Sequence, residues 1–437
     1  MINTEVKDKT KINKKKSKAR RNNAILFPLY KVFAWDLLCY YSIEYLFFTI
    51  TKGLSPSMVL IVAAAYIISK VLLQIPSVII SEYLGKKKSI IIGNLLVALH
   101  MVLVIFAPNF WVIIVAQMFS GLGYDIKAIC DGNLLYDSVA TKGGDGLYTK
   151  LETKGGSGYY IVDAVLSIMA GYLFVINNYI PMVICLICII ISLILSFRFK
   201  EIYPVDKKKR KTISKFAKEY KISIQDSLKF IKRSRRIKAY ILFASLFYSL
   251  TSILDTYKFD LLTDIKIGAE QFAIIIAVLS LIASISVGFA RKLQNKFRNK
   301  TLTYISITYI LSWLLVGIIA LTLTNSIIVP LILMLYVIIR ICDSQWYIVR
   351  GKYLKNFTRA DSREKITFTF ELVTSLAGGL AALLGAWILE VTDIRHAIVL
   401  VSLGGLGLMI MVLDYMKTRF GLRHKQYRKE DIKFKIN

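Results

Sequence analysis

The stretch Gln74-Ile-Pro-Ser-Val-Ile-Ile-Ser-Glu82-Tyr-Leu-Gly85-Lys86-Lys87-Lys88-Ser-Ile-Ile-Ile-Gly93 joins two long apolar runs through a short cationic turn. Gly85 suits a tight reversal between antiparallel helices because, lacking a Cβ, it tolerates positive φ. Lys86 to Lys88 cannot enter hydrocarbon and hold the turn in water, on the side of the membrane where Lys and Arg collect. Glu82, at the end of the preceding helix, is placed to accept hydrogen bonds from a neighbouring helix N-terminus or from a cation. The segment therefore predicts two membrane-spanning helices linked by a charged hairpin.

The same pattern recurs along the whole chain. Its 437 residues are 56% hydrophobic with a mean hydropathy of +0.56, against about 45–50% apolar in soluble domains. A spanning helix needs about 20 apolar residues, and twelve such runs are present, at about 26–50, 57–81, 89–107, 109–136, 158–176, 179–197, 238–262, 268–289, 301–323, 326–348, 367–389 and 396–416. The first is expected to be retained rather than cleaved, since it follows a lysine-rich tail, carries Asp36 and Glu44 and lacks a small-residue cleavage site. The formal charge of +30 would by itself suggest a nucleic-acid partner. Its distribution excludes one: 50 of the 58 Lys and Arg fall in the two tails and one set of loops, and only Lys52, Lys266 and Arg395 lie in the loops of the opposite face. By the positive-inside rule both termini and the central loop face the cytoplasm of a cell-membrane protein.

Six runs, a long break, then six more predict two pseudo-symmetric six-helix bundles: a basic N-tail (1–25), an N-terminal bundle (26–197), a basic central loop (198–237), a C-terminal bundle (238–416) and a basic C-tail (417–437). Within the central loop Ile213, Phe216, Tyr220, Ile224, Leu228 and Ile231 recur at helical spacing among lysines, which predicts an amphipathic helix on anionic inner-leaflet lipid. Ile129-Cys130-Asp131 matches Ile341-Cys342-Asp343 at an offset of 212, and the run from Gly171 matches that from Gly385 at 214, as a parallel duplication requires.

With these features in place, the 74–93 stretch resembles the loop motif of the major facilitator superfamily, G-x-x-x-D-R-x-G-R-K. Val78 stands at the first glycine, Glu82 at the aspartate and Tyr83 at the arginine, while Gly85, Lys86 and Lys87 keep the turn and its charge. The helix count and the duplication extend the resemblance over the whole chain. It implies an all-α polytopic transporter working by alternating access, with Glu82, Gly85, Lys86 and Lys87 as a latch on the outward-open state. Leu134-Leu135-Tyr136-Asp137-Ser138 is similar to a segment of bacterial drug-efflux-like members, which implies an exporter of a small amphiphilic compound. Gln117 stands where their helix-four arginine falls, and Ser167 to Leu173 lacks their glycine-proline signature. An importer of a sugar or peptide, a lipid flippase and a non-transporting sensor are the rival readings.

Ionisable groups inside the bilayer are costly and mark cavities or partners. Asp36 lies ten residues into the first span, about 15 Å deep, and Lys70 twelve residues before Glu82, about 18 Å from it. A pair between them at the midplane is the leading expectation for a substrate or proton-coupling site, with Asp125 and Arg340 as the other deep charges. Lys127, Asp131, Asp343 and Glu371 are secondary candidates, and Arg340 and Asp343 share a helix face. Tyr40, Tyr41, Phe247 and Tyr248 are candidates for an aromatic cavity wall. Cys185-x-x-Cys188 reads as helix packing, the two Thr-Lys-Gly-Gly copies at 141–144 and 153–156 as a flexible cytoplasmic loop, and Gly378, Gly379, Ala382 and Gly385 as a close helix approach. No enzyme, cofactor or metal site is expected. The partners expected are a small-molecule solute, protons and the lipid bilayer, for a monomeric chain.

Overall fold

The computed structural model describes residues 2–139, 144–203, 234–287, 289–297, 300–322, 328–357 and 363–420, with scattered positions between 218 and 231. The amphipathic helix expected in the central loop lies largely outside the described residues, as do 421–437 of the C-tail. The elements are helical: α1 (Ile2–Ala34), α2 (Glu44–Leu46) running into a π turn (Phe47–Thr51), α3 (Pro56–Leu84), α4 (Lys86–Phe106), α5 (Phe110–Val139), α6 (Gly144–Ile176) and α7 (Ile180–Phe197), then α8 (Arg235–Asp264), α9 (Ala269–Val287), α10 (Ala290–Phe297), α11 (Thr301–Thr322), α12 (Ile328–Phe357), α13 (Arg363–Val391) and α14 (Ile394–Phe420). Among the described residues eleven helices are long and apolar enough to cross a membrane.

The span expected at 26–50 is not one helix, and this corrects the sequence reading. α1 stops after Ala34, where Trp35 N–H makes the last helical bond to Lys31 O at 2.9 Å. Asp36 then takes the Leu37 N–H onto its own carboxylate at 2.8 Å, the local side-chain competition by which Asp opposes helix. Cys39 adopts φ +54. Hydropathy cannot register such a break, because it averages over about twenty residues and one aspartate among apolar neighbours barely lowers it.

The chain clusters into two compact units: Met1–Lys52 with Leu72–Ala217, and Gly53–Val71 with Lys218–Asn437. In the first, α4 packs along α5 and α7, and α1 along α5, α6 and α7. Its core gathers Phe27, Tyr30, Ile90, Ile126, Leu134, Leu195 and Phe199. α1 is helical from Ile2, and its basic end is held to the segment after α7: Asn23 exchanges hydrogen bonds with the Lys200 backbone at 2.8 and 2.9 Å, and Arg20 donates to the Tyr203 hydroxyl. In the second unit α8 packs on α13 and α14, α11 on α12 and α14, and α9 on α12. The small residues of α13 serve the close approach expected of them, an added Cβ at Gly385 meeting Ile253 of α8 at 2.9 Å.

The 153–156 copy of Thr-Lys-Gly-Gly is not a loop but part of α6. There an added Cβ at Gly155 would lie 2.6 Å from the Lys31 Cβ, so the glycines let α1 and α6 touch. Glycine in a polar stretch reads as loop; here it is bare backbone for a helix crossing. The 140–143 stretch lies outside the described residues.

Two of the three cations on the sparsely charged face each close a helix end. Lys52 Nζ donates to the carbonyls of Ile105 and Ala107 at the end of α4, at 2.7 and 3.1 Å. Arg395 donates to Ala320 O at the end of α11 and pairs with Asp264 at 2.8 Å. Terminal carbonyls and the negative end of the helix dipole favour cations there.

Candidate functional site

The turn Gly85 between α3 and α4 has φ +80, the conformation for which glycine is suited. The charges around it pair differently from expectation. Glu82 is exposed. Lys86 instead pairs with Asp137 at the end of α5, and the Lys87 N–H in the first turn of α4 donates to the Glu201 carboxylate at 2.8 Å. Asp137 carries a sequence signal only through its Leu-Leu-Tyr-Asp-Ser context, and Glu201 lies 114 residues from the amide it caps.

Deeper in the same unit lies a buried polar network that sequence reading largely missed. Lys31 of α1 reaches Asp131 of α5 at 3.3 Å and Glu152 of α6 at 3.7 Å, with side-chain exposures of 14%, 2% and 25%. Its ammonium also lies 5.1 Å from the centre of the Trp35 ring, a favourable cation–π placement. Asp131 accepts a further hydrogen bond from Tyr30 at 3.1 Å. Asn94 of α4 donates to the Tyr30 oxygen at 3.2 Å and accepts from Ser192 of α7 at 3.2 Å. Five helices thus meet through one path of hydrogen bonds and ion pairs. Lys127, one turn from Asp131, is buried with its ammonium 4.7 Å from the Tyr124 ring centre.

Above this network sits the interruption of the first span. Asp36 accepts from Leu37 N–H and, at 3.1 Å, from the Tyr41 hydroxyl. Asp163 of α6 accepts the Cys39 N–H at 2.9 Å, and Ser42 donates to Cys39 O at 2.7 Å. Irregular backbone survives at membrane depth only where protein groups satisfy it, and these three side chains do so. Lys70 lies in the other unit with its ammonium 5.5 Å from the Tyr66 ring centre. Asp36 and Lys70, expected to pair, thus fall in different units.

The remaining candidates fall as follows. Asp125 is half-buried on α5, two residues before Lys127. Arg340 and Asp343 of α12 form the expected pair at 3.0 Å, close to a second pair, Asp255 with Lys258 on α8, at 3.3 Å. Glu371 is exposed. Tyr40 is buried against Tyr41 and His100, and Phe247 is enclosed by Phe243, Tyr309 and Trp346, whereas Tyr41 is 42% exposed. Tyr248 lies against Gly378, where an added Cβ would meet its ring at 2.5 Å. Cys188 packs with Leu38 and Tyr159, and all five cysteines are buried free thiols. Among the described residues no group of three or more His, Cys, Asp or Glu side chains is placed to hold a metal ion.

Chemically, the first unit holds one ammonium shared by two carboxylates of different burial. Neutralising either carboxylate by a proton strengthens the hold of the other on Lys31, and so alters which helices are tied together. Lys31 carried a sequence signal, being one of five cations inside the spans, but its partners lie 100 and 121 residues away.

Residues 26–344 match the family model of the Major Facilitator Superfamily. Solved structures share the fold. A nucleoside transporter, NupG, is 13% identical with a TM-score of 0.70, over 91% of this chain and 99% of that one. A POT family transporter in complex with 5-aminolevulinic acid is 12% identical with a TM-score of 0.68, over 93% and 96%. A bacterial homologue of the human lysosomal transporter Spinster, inward-facing and unoccupied, is 14% identical with a TM-score of 0.60, over 92% and 94%. No curated protein matches the sequence significantly.

Proposed function

The chain belongs to the major facilitator superfamily, whose members are secondary transporters of small molecules, and on that premise we propose that it exports a small amphiphilic solute in exchange for protons. The observation that carries the proposal is the Lys31 ammonium held between the carboxylates of Asp131 and Glu152, directly below a helix interruption that contains Asp36. Buried charge at that depth is retained at a cost, and an acid–base set spread over three helices is a means of linking a proton to their rearrangement. Outward movement is supported by the likeness of Leu134–Ser138 to drug-efflux-like members. Cytoplasmic termini are supported by the division of positive charge between the two faces. Lys86 with Asp137, and Glu201 at the start of α4, join Gly85 in the proposed latch. Asp36 with Lys70 is proposed as the contact by which the two units respond to the proton.

The test uses purified protein in liposomes containing a pH-sensitive dye, with an imposed pH gradient and a panel of amphiphilic amines, nucleosides and peptides. The expected result is proton movement triggered by an amphiphilic solute and abolished in Asp131→Asn and Asp36→Asn. Solute flux indifferent to the gradient, or equal in wild type and both variants, overturns the coupling. Accumulation of a nucleoside or peptide with the proton overturns export.

A further inference from the structure

The duplication in the sequence sets Asp131 of α5 and Asp343 of α12 at equivalent places in the two halves, yet their surroundings differ. Asp131 is sealed, with 2% of its side chain exposed. Asp343 belongs to an open set of four charges on α8 and α12. It pairs with Arg340 at 3.0 Å, while Asp255 pairs with Lys258 at 3.3 Å. Across the two helices Asp343 also feels the charges of Asp255 and Lys258. The Tyr336 hydroxyl, two turns before Asp343 on the same face of α12, donates to the Lys258 carbonyl at 3.5 Å and sets that face against α8.

The four charges are deep and still accessible. Asp255 lies nine residues, about 14 Å, from the end of its crossing at Asp264, and Arg340 lies twelve residues, about 18 Å, from the start of its own at Ile328. Side-chain exposure is nevertheless 44% for Asp255, 35% for Arg340 and 27% for Asp343, against 12% for Lys258. That exposure is not to acyl chains. At about 100° per residue, Asp343 stands opposite the exposed Met334 of α12, and Asp255 stands about 140° from the exposed Leu242 of α8. Charges at this depth, on the face turned away from lipid, line water-filled space.

We propose that this set binds the solute and selects zwitterions, molecules with an apolar body, one ammonium and one anionic group. The anionic group takes Arg340 and the ammonium takes Asp255, the more exposed member of each pair. Lys258 and Asp343, released from them, pair with each other across the two helices, so every charge keeps a partner. A solute with a single charge leaves one charge of the set unbalanced, which a poorly solvated site penalises. Tyr248, two turns before Asp255 on α8 and near both Asp255 and Asp343, offers its ring to the apolar body. The site rests on the transport reading above only for the solute's fate, and binding is measured without transport.

The purified full chain in detergent is titrated calorimetrically at neutral pH with tryptophan, tryptamine and indole-3-propionate, which share a ring system but are zwitterion, cation and anion. Wild type is expected to bind tryptophan about tenfold more tightly than either of the others, as one charge-assisted hydrogen bond implies. Arg340→Gln should weaken tryptophan about tenfold and leave tryptamine unchanged, and Asp255→Asn should weaken tryptophan as much and leave indole-3-propionate unchanged. Asp264→Asn, which breaks the pair with Arg395 outside this set, should alter none of the three. Equal affinities in wild type, or no saturable binding of tryptophan, overturns the proposal whether or not the variants fold. Equal losses for all three compounds in Arg340→Gln assign the pairs to holding the helices together and also overturn it. A zwitterion preference beside solute flux indifferent to the pH gradient keeps this site and overturns the coupling proposed above; proton-linked flux without that preference does the reverse.

Discussion

Replacing Lys31 by Met removes the charge but keeps a long apolar stem, and so isolates the ammonium. At 3.3 and 3.7 Å, and with an effective dielectric constant of about 20, its attractions to Asp131 and Glu152 are about 5 and about 4.5 kcal/mol. Desolvation of several kcal/mol per ion offsets most of this, so the intact set adds little net stability. The variant is another matter. It leaves Asp131, whose side chain is 2% exposed, with the Tyr30 hydroxyl and no directly paired cation, only Lys127 one turn away with its ammonium against the Tyr124 ring. Removing one partner of a buried pair costs about 3–5 kcal/mol, which for a unit of this size is roughly 6–20 °C in midpoint. Thermal unfolding in detergent can be followed with a thiol-reactive dye, because all five cysteines are buried in the folded chain. Lys31→Met combined with Asp131→Asn should recover most of the loss, since no orphaned charge remains next to Tyr30, yet it should not recover proton-linked flux. A midpoint for Lys31→Met equal to that of Lys88→Met, an exposed control, would refute the reasoning, as would a double variant that melts no higher than the single one.

Asp163→Leu deletes the acceptor of the Cys39 N–H, a bond to a charged group worth about 1.5–3 kcal/mol. Cys39 should then react with N-ethylmaleimide some ten- to hundredfold faster, read by peptide mass spectrometry, and an unchanged rate would show that the break is held by other contacts. Gly155→Val places a Cβ 2.6 Å from that of Lys31 and should cost about 1–3 kcal/mol as α1 and α6 part, whereas Gly404→Ala, with nothing within 4 Å, should be harmless; equal midpoints would remove the crossing from the fold. Asp393 precedes α14 and accepts the His396 N–H at 3.4 Å. Burial opposes its charge, but its hydrogen bonds and the neighbouring His396 hold the carboxyl below the ordinary value. The cap is therefore fully present above about pH 4, where an unfolded aspartate is ionised, and fades as pH falls through the lower folded value. Asp393→Ala should lose about 1 kcal/mol at neutral pH, and the gap to wild type should narrow on acidification; a gap independent of pH would exclude the charged cap.

What the amino-acid order determines on its own is the membrane solution. Insertion is decided segment by segment, from the apolar length of each run and the cations beside it. Eleven of the twelve expected crossings, among the described residues, and the turn at Gly85 were therefore legible locally. So was the Arg340–Asp343 pair, since three residues on one helix suffice to join them. Hydropathy averages over about twenty residues, so it could not see Asp36 and Cys39 divide the first span, nor tell a glycine crossing at Gly155 from a loop. The partners of Lys31 were decided by tertiary structure alone. Which carboxylate an ammonium meets depends on which helices are neighbours and how each is rotated about its axis. Those choices come from packing among residues such as Phe27, Tyr30, Leu134 and Phe199, which lie far apart in the chain and meet only once it has folded.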